Sequence, residues 1–314
     1  MRMETSSAVP DPSGAFSALA GAMHSELKRH CYRMLGGVQD AEDCVQETLL
    51  RGWREFPSLR DGAVGRPWLY SIATRVCLDT LRTRRRRQTL FGPSLDEVEP
   101  GKGPWVEPWP GGVPPFGPER AQDIRLAFIS LLHGLSPRAR AVLLLHDVVG
   151  MTAAEAAAAL GMSVAAARSA LQRARAGLPP QNVVVADNLP VEAYIDAWNA
   201  GDVGALIGLL HTDIVLTMPP WHRTFTGRDE VARFMTGVWP RYDGFRAVAV
   251  VANGQPAAAI YAHRGDAPYL PHSLHVLAGS EQVSELVLYA PPLGAGLFAA
   301  FGLALTGAMY GAVL

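Results

Sequence analysis

Two consecutive stretches decide the fold of the front of this chain: DAEDCVQETLLRGWREF at residues 40–56 and RPWLYSIATRVCLDTLRTRRRR at residues 66–87. An α-helix turns by about 100° per residue, so Asp40, Asp43 and Glu47 of the first stretch fall on one face. Apolar side chains fall on the opposite face: Val45, Leu49 and Phe56. The first stretch therefore predicts an amphipathic helix with an acidic face and a core face, and Asp40 is its expected N-cap.

The second stretch carries the opposite charge. Its apolar residues keep helical spacing: Leu69, Ile72, Val76 and Leu81. Its basic residues are numerous: Arg75, Arg82, Arg84, Arg85, Arg86 and Arg87. Arginines bind phosphates, and Trp68 near the start of the helix offers a ring on which an unpaired base can stack. The combination predicts a surface for single-stranded nucleic acid.

Together, D-A-E-D-x-x-Q-E and R-x-W-L-Y-x-I-A-T-x-x-C-L-D-x-L-R resemble region 2 of the extracytoplasmic-function sigma factors. These are small bacterial sigma-70 relatives that direct RNA polymerase to promoters. The resemblance implies a polymerase-binding set: Asp40, Asp43, Gln46 and Glu47. It also implies a set that binds the −10 promoter element: Leu59, Arg60, Arg66, Trp68, Arg75, Arg82, Arg84 and Arg85. A helical pair with a solvated arginine run would explain the periodicity, but not the acidic face, the loop and the basic helix together.

The segments around this pair are predicted from periodicity and composition. Residues 1–15 are expected to be a flexible leader, and region 2 spans residues 16–87, beginning with a helix that ends at Gly36 and Gly37. The loop between the two stretches resembles the one that captures a flipped base, although a plain connection is the alternative. Residues 88–119 are rich in proline and glycine and carry five acids against one lysine, which predicts a linker.

Composition limits the class of protein. The chain has 314 residues, of which 49% are hydrophobic and 18% are charged, an ordinary balance for two or three globular domains. Residues 1–186 carry 22 Lys and Arg against 18 Asp and Glu, whereas residues 187–314 carry 6 against 11. The front is therefore the expected nucleic-acid-binding part. The N-terminus lacks the apolar core of a signal peptide, and the three cysteines form no C-x-x-C pair, so a reducing cytoplasm is expected.

Residues 120–178 carry three signals for the start of a helix: Ser136 followed by Pro137, Thr152 with Glu155, and Ser163. The last two predict a helix-turn-helix. Following region 2 at this distance, it resembles region 4, the sigma-factor module that recognises the −35 element. The residues assigned to −35 recognition are Ser163, Arg168, Ser169, Gln172, Arg173 and Arg175, because outward Ser, Gln and Arg reach base edges and phosphates.

After a second linker at residues 179–188, residues 189–314 predict a third domain. Two helices parted by Gly201 and Asp202 are followed by strand-like segments, including a hairpin turn at Asn253 and Gly254, which predicts an α+β fold. The pieces A-W-N-A-G-D, M-P-P-W and F-T-G-R-D resemble the SnoaL-like domains of the NTF2-like class, as appended to some sigma factors. The expected fold is thus two all-α sigma regions followed by an α+β cone.

The cone of such domains usually encloses a pocket, for which an unidentified small molecule would be the ligand. The candidate pocket residues are Trp198, His211, Met218, Trp221, His222 and Phe225. No acid or base is distinguished by the sequence for proton transfer, and the histidines show no metal-ligand spacing. No catalytic residue, metal or cofactor is therefore predicted, and a satisfied or surface histidine is the favoured interpretation of His211 and His222.

The sequence is thus interpreted as a cytoplasmic sigma factor. Its expected partners are core RNA polymerase and promoter DNA, and its SnoaL-like domain is expected to contact regions 2 and 4 as an intramolecular regulator. A cyclase or isomerase fused to a DNA-binding module is the alternative class, and a helix-turn-helix repressor is the alternative within transcription. The uncharged tail from Leu293 to Leu314 is long enough for a membrane span, but its glycines and lack of basic flanks argue against one.

Overall fold

The computed structural model describes residues 12–56, 65–91, 106–111, 126–177, 188–219, 221 and 223–305. The chain forms two compact units. The helical unit comprises Met1–Leu90 and Ile129–Pro180, and the sheet unit comprises Phe91–Phe128 and Gln181–Leu314. The segment that joins the two sigma-like regions in sequence therefore belongs to the sheet unit.

Three helices open the helical unit: α1 (Pro12–Leu35), α2 (Val38–Glu55) and α3 (Gly65–Phe91). Their buried side chains have the predicted helical spacing: Leu27, Tyr32, Val45, Leu69, Ile72 and Val76. Helix α1 begins at Pro12, so the end of the predicted flexible leader is helical. Cys31, Cys44 and Cys77 are free thiols buried among these helices.

The turn between α1 and α2 depends on glycine. Gly36 has a φ of +78°, and a Cβ added there would lie 2.7 Å from Cε1 of the His133 ring. The N-cap of α2 is Gly37, and Asp40 lies inside the first turn of that helix. The prediction of Asp40 as the N-cap is therefore wrong, because the chain enters α2 directly after the left-handed Gly36.

Four further helices follow: α4 (Leu126–Gly134), α5 (Pro137–Leu143), α6 (Ala153–Leu160) and α7 (Val164–Ala176). A π-helical turn at Leu144–Val148 extends α5. Thr152 and Glu155 form the predicted capping box at α6, with the Thr152 N–H donating to Glu155 Oε2 at 2.7 Å. Ser163 caps α7 by accepting from the Ala166 N–H, and Gly161 ends α6 in the left-handed conformation. Local cap chemistry thus produces the helix-turn-helix.

The sheet unit contains one mixed sheet of six strands. The strands are β1 (Leu210–Met218), β2 (Arg223–Thr226), β3 (Gly244–Ala252), β4 (Gln255–His263), β5 (Leu270–Gly279) and β6 (Val283–Tyr289). Their order is β2-β1-β6-β5-β4-β3, in which β1 and β6 are parallel and all other neighbours are antiparallel. The hairpin of β3 and β4 turns at the predicted Asn253 and Gly254.

Helices α8 (Val191–Ala200), α9 (Val203–Gly208) and α10 (Arg228–Val238) share an apolar core with the sheet. A short helix, α11 (Gly294–Ala300), packs against β5. The two classes of element confirm the predicted fold, all-α sigma regions followed by an α+β domain. Among the described residues no helix is long and apolar enough to cross a membrane, and residues 306–314 of the uncharged tail lie outside that description.

Candidate functional site

The predicted polymerase-binding residues lie on one surface of α2, in different settings. Asp43 and Gln46 are exposed, and Asp43 Oδ1 accepts from the Gln39 amide at 3.1 Å. Asp40 forms an ion pair with Arg84 of α3. Glu47 Oε1 accepts from Nε of Arg51 at 2.7 Å. Two of the three acids of this face are therefore already paired with arginines of the same unit.

Two large apolar residues of α2 are exposed beside these acids. Leu50 and Trp53 have 54% and 46% of their surface accessible, and the Trp53 ring lies edge-on to Phe16 with centroids 5.7 Å apart. They continue the helical row that starts at the exposed Gln46. The charge pattern of this face does not point to them, but the helical spacing of residues 46, 50 and 53 does. An acidic face with an apolar border suits a protein partner.

The predicted −10 residues lie on α3, except Leu59 and Arg60, which fall outside the described residues. Several arginines form ion pairs: Arg66 with Glu26 at 2.8 Å, Arg82 with Asp79 at 2.9 Å, and Arg84 with Asp40. Arg85 and Arg86 are exposed. Trp68 is half-buried beside Phe56, with ring centroids 6.3 Å apart. The basic residues are thus distributed along α3, with an aromatic residue near the start of the helix.

Arg75 is used differently from the other arginines of α3. Its Nε donates to the carbonyl oxygen of Ala159 in α6 at 2.7 Å, so a predicted −10 residue joins the first helices of the unit to the helix-turn-helix. A second contact between these two parts of the unit is made by Arg140 of α5, of whose surface only 3% is accessible. Its guanidinium donates to carbonyl oxygens on both sides of this contact: Met34, Leu132, His133 and Leu135.

All six predicted −35 residues are exposed, and five of them lie on α7: Arg168, Ser169, Gln172, Arg173 and Arg175. Ser163 is exposed but acts as the N-cap. Arg175 forms an ion pair with Asp147 of the π-helical turn, its Nε donating to Asp147 Oδ2 at 3.1 Å. Partial burial opposes ionisation of Asp147, but hydrogen bonds from Arg175 and His146 outweigh it and lower its pKa.

Residues 106–111 extend the sheet unit at its β3 edge. The Asn253 N–H donates to Trp109 O and the Trp109 N–H donates to Asn253 Oδ1, both at 2.8 Å. The Gly111 N–H donates to Val251 O at 2.7 Å, and Tyr289 Oη donates to Val106 O at 2.7 Å. Further along, the Leu126 N–H donates to Gln255 Oε1 at 2.9 Å. The segment expected to be a plain linker is therefore bound along the sheet.

The candidate pocket residues are only partly together. Trp198 and Met218 are buried in the core of the sheet unit, and Phe225 stacks on Phe234 at its margin. Trp221 is exposed, and Nδ1 of the half-buried His211 accepts from the Asp213 N–H at 3.1 Å. His222 lies outside the described residues.

A buried polar chain in this core was missed by sequence reasoning. Tyr194 Oη and Ser273 Oγ each lie 2.8 Å from a ring nitrogen of His275, and Ser273 Oγ lies 2.9 Å from Nδ1 of His272. Burial lowers the pKa of His275 to about 3 and that of His272 to about 4, so both rings are neutral at pH 7. The sequence shows only two histidines and a serine in an apolar strand. This pattern does not distinguish a structural hydrogen-bond network from a catalytic site. Among the described residues no cluster of three potential metal ligands occurs.

Comparisons with known proteins agree with this arrangement. The family model described as Sigma-70 region 2 matches residues 19–87, Sigma-70, region 4 matches residues 125–178, and SnoaL-like domain matches residues 191–284. The chain belongs to the extracytoplasmic-function sigma factors of the sigma-70 family. It is similar to the ECF RNA polymerase sigma factor SigG of Mycobacterium tuberculosis, with 39% identity over 92% of this chain and 84% of that protein.

A second relative from the same organism is the ECF RNA polymerase sigma factor SigJ, with 34% identity over 70% of this chain and 72% of that protein. The crystal structure of the extracytoplasmic-function sigma factor SigJ from Mycobacterium tuberculosis matches this structure with a TM-score of 0.64 and 28% identity, over 92% of this chain and 99% of that one. The resemblance stated from the sequence is thus confirmed. The boundaries of the domains and the roles of individual residues stay predictions.

Proposed function

We propose that this chain binds core RNA polymerase through α2, contacts the −10 element through α3 and reads the −35 element through α7. The observation that carries the proposal is the adjacency, in one helical bundle, of an exposed acidic and apolar face on α2 and an arginine-rich α3. A repressor would need the helix-turn-helix but no such second surface. A sigma factor acts where core polymerase is, so we place the protein in the cytoplasm.

The contacts between the two sigma regions describe a resting form. The −10 and −35 elements are about 25 base pairs apart, which is about 85 Å at about 3.4 Å per base pair. A compact unit of this size is about 40 Å across. Arg75 and Arg140 hold the two regions together within that unit. The regions must therefore separate before both promoter elements can be bound at once.

The SnoaL-like domain is proposed to regulate this separation. Residues 106–111, which lie between the two sigma regions in sequence, are hydrogen-bonded to the β3 edge and to Tyr289. Leu126, at the start of α4, is hydrogen-bonded to Gln255. The length of connection that is available for opening thus depends on whether the domain holds residues 106–111. This contact supports an intramolecular regulator without requiring chemistry.

A catalytic role for the SnoaL-like domain is not favoured. General acid–base catalysis works best with a group whose pKa is near the working pH. The pKa values of His272 and His275, about 4 and about 3, lie far below pH 7, and no Asp or Glu is buried among the described residues. We therefore propose that the domain binds and restrains and does not catalyse a reaction.

Two measurements test the proposal: run-off transcription with core polymerase, and retention of the full chain on immobilised core polymerase. Replacing Asp43 and Glu47 with arginine should weaken retention of the full chain on immobilised core polymerase by at least tenfold, because like charges then face the docking partner. The matched control makes the same charge change at the exposed Asp266 and Glu281 of the sheet unit. Equal retention of both double variants, or no transcript with wild-type chain, would contradict the sigma assignment.

A further inference from the structure

Ion pairs connect the docking face of α2 to the DNA-binding helix α3 at two places. Asp40 pairs directly with Arg84. Glu47 leads to α3 through Arg51, whose Nε lies 2.7 Å from Glu47 Oε1 and whose Nη1 lies 3.7 Å from Asp79 Oδ2. Asp79 Oδ1 in turn lies 2.9 Å from Nη1 of Arg82. Acids of the polymerase-binding set are thus linked to arginines of the −10 set.

These pairs can exchange. Their side chains are between 35% and 58% accessible, so water and competing charges reach both partners. An exposed pair changes an equilibrium constant by no more than about fivefold, so a better partner displaces it. An arginine bound to Asp40 or Asp79 attracts a phosphate less strongly, because its positive charge is partly neutralised. In the same way, an acid bound to an arginine attracts a basic protein surface less strongly.

We propose that this network makes the binding of polymerase and of DNA to region 2 cooperative, because each partner frees the residue that the other needs. Basic side chains of polymerase compete for Asp40 and Glu47 and release Arg84 and Arg82 for phosphates. Phosphates release the two acids by the same exchange. Thermodynamic linkage requires the two effects to be equal in size. The inference rests on the proposed function, whose two surfaces it connects.

The first arm of the test uses DNA without polymerase. The probe is a fluorescein-labelled, random-sequence single strand of about 20 nucleotides, bound by the full chain and followed by anisotropy across a salt series. Asp40→Asn should tighten binding by about twofold to fivefold more than Asp43→Asn does. Asp43→Asn removes the same charge three residues along α2, where the described contact is with Gln39 and not with an arginine of α3. The gain should disappear when Arg84→Gln is also present.

The second arm uses core polymerase without DNA. Arg84→Gln should bind core polymerase about twofold to fivefold more tightly than wild type, because Asp40 is then unpaired. Loss of a residue that only contacts DNA would produce no such gain. Arg86→Gln is the matched control, since Arg86 is an exposed arginine of the same helix outside the network.

The outcomes separate the network from the function. Equal effects of Asp40→Asn and Asp43→Asn, or equal core affinities of Arg84→Gln and Arg86→Gln, overturn the network and leave the sigma assignment intact. A gain by Asp40→Asn that persists with Arg84→Gln also overturns it. Wild-type chain that binds neither the strand nor core polymerase overturns the proposed function, and the network with it.

Discussion

Arg173 and Arg82 both present a guanidinium at the surface, but their settings differ. Arg173 is exposed near the end of α7, whereas Arg82 of α3 is paired with Asp79 at 2.9 Å. We expect Arg173→Ala to lose about 1–3 kcal/mol of discrimination at the −35 element, because a guanidinium reads base edges in the major groove. Arg82→Ala should weaken binding to all sequences and flatten the salt dependence, because it removes a phosphate contact.

The measurement is anisotropy of the holoenzyme on promoter fragments with an intact or a scrambled −35 element, at several salt concentrations. Arg138→Ala in the first turn of α5 is the control, since this exposed arginine belongs to neither predicted set. If Arg173→Ala weakens binding to both fragments by the same factor, the outward face of α7 does not read sequence.

At the residue scale, the sequence predicts what depends on near neighbours. The capping pair Thr152 and Glu155 was predictable because both partners lie within one turn. Arg140 was not, because P-R-A-R at the start of a helix looks like a solvated run. Its guanidinium is buried against the carbonyl oxygen of Met34, which lies 106 residues earlier in the chain. Helical periodicity carries no information about a contact at that distance in sequence.

At the element scale, the extended segment 106–111 depends on one turn of the sheet. Asn253 is buried with a φ of +54°, a conformation that glycine adopts freely, and its Oδ1 is the acceptor for the Trp109 N–H. Asn253→Gly should therefore keep the turn and remove the acceptor of the Trp109 N–H. Loss of an ordinary hydrogen bond at a half-buried donor costs about 0.5–1.5 kcal/mol, so release of the segment should become about twofold to twelvefold more frequent.

Hydrogen exchange at the Trp109 amide measures this release in the full chain, and run-off transcription reports its effect on output. Asp266→Gly is the control, because it introduces glycine in an exposed turn that has no described contact with residues 106–111. Unchanged protection of Trp109 in Asn253→Gly would show that the turn does not hold the segment. A faster exchange with unchanged transcription would separate the contact from regulation.

The two sides of this contact were unequally predictable. The hairpin of β3 and β4 followed from Asn253-Gly254 between apolar runs, because a turn and its strands are adjacent in sequence. Residues 106–111 have no alternation of apolar and polar side chains, since the main chain provides most of their bonds to the sheet. Their place beside β3 is set by pairing across 144 residues.

At the scale of the whole molecule, buried and half-buried neutral histidines in both units make stability depend on pH. Burial, aided by nearby positive charge, lowers the pKa of His30 and His133 to about 3 in the helical unit. Burial likewise lowers the pKa of His272 to about 4 and that of His275 to about 3 in the sheet unit. Below about pH 6.5 these four histidines bind protons in the unfolded chain. In the folded chain they stay neutral until the pH approaches their lowered pKa values.

Stability should therefore be complete above about pH 6.5 and fall as the pH drops toward the folded values. At pH 5 each of these histidines costs about 2 kcal/mol, or about 4 kcal/mol for each unit. Urea unfolding followed by tryptophan fluorescence at pH 7 and pH 5 measures the difference. His275→Gln should reduce the pH dependence of the sheet unit to about 2 kcal/mol and leave that of the helical unit unchanged, because His272 remains. Coincident unfolding curves of wild type at the two pH values would contradict the prediction.

The discontinuous make-up of the two units also sets an order of events during synthesis. Trp109 leaves the ribosome 144 residues before its partner Asn253, an interval of roughly seven to thirty seconds at about 5–20 residues per second. Regions 2 and 4 are both complete before β3 exists. During this period both promoter-reading regions of the new chain are complete, but the strand that binds residues 106–111 has not yet been translated. The connection between regions 2 and 4 is thus free of this contact in the nascent chain, and the contact can form only once the last third of the chain is being synthesised.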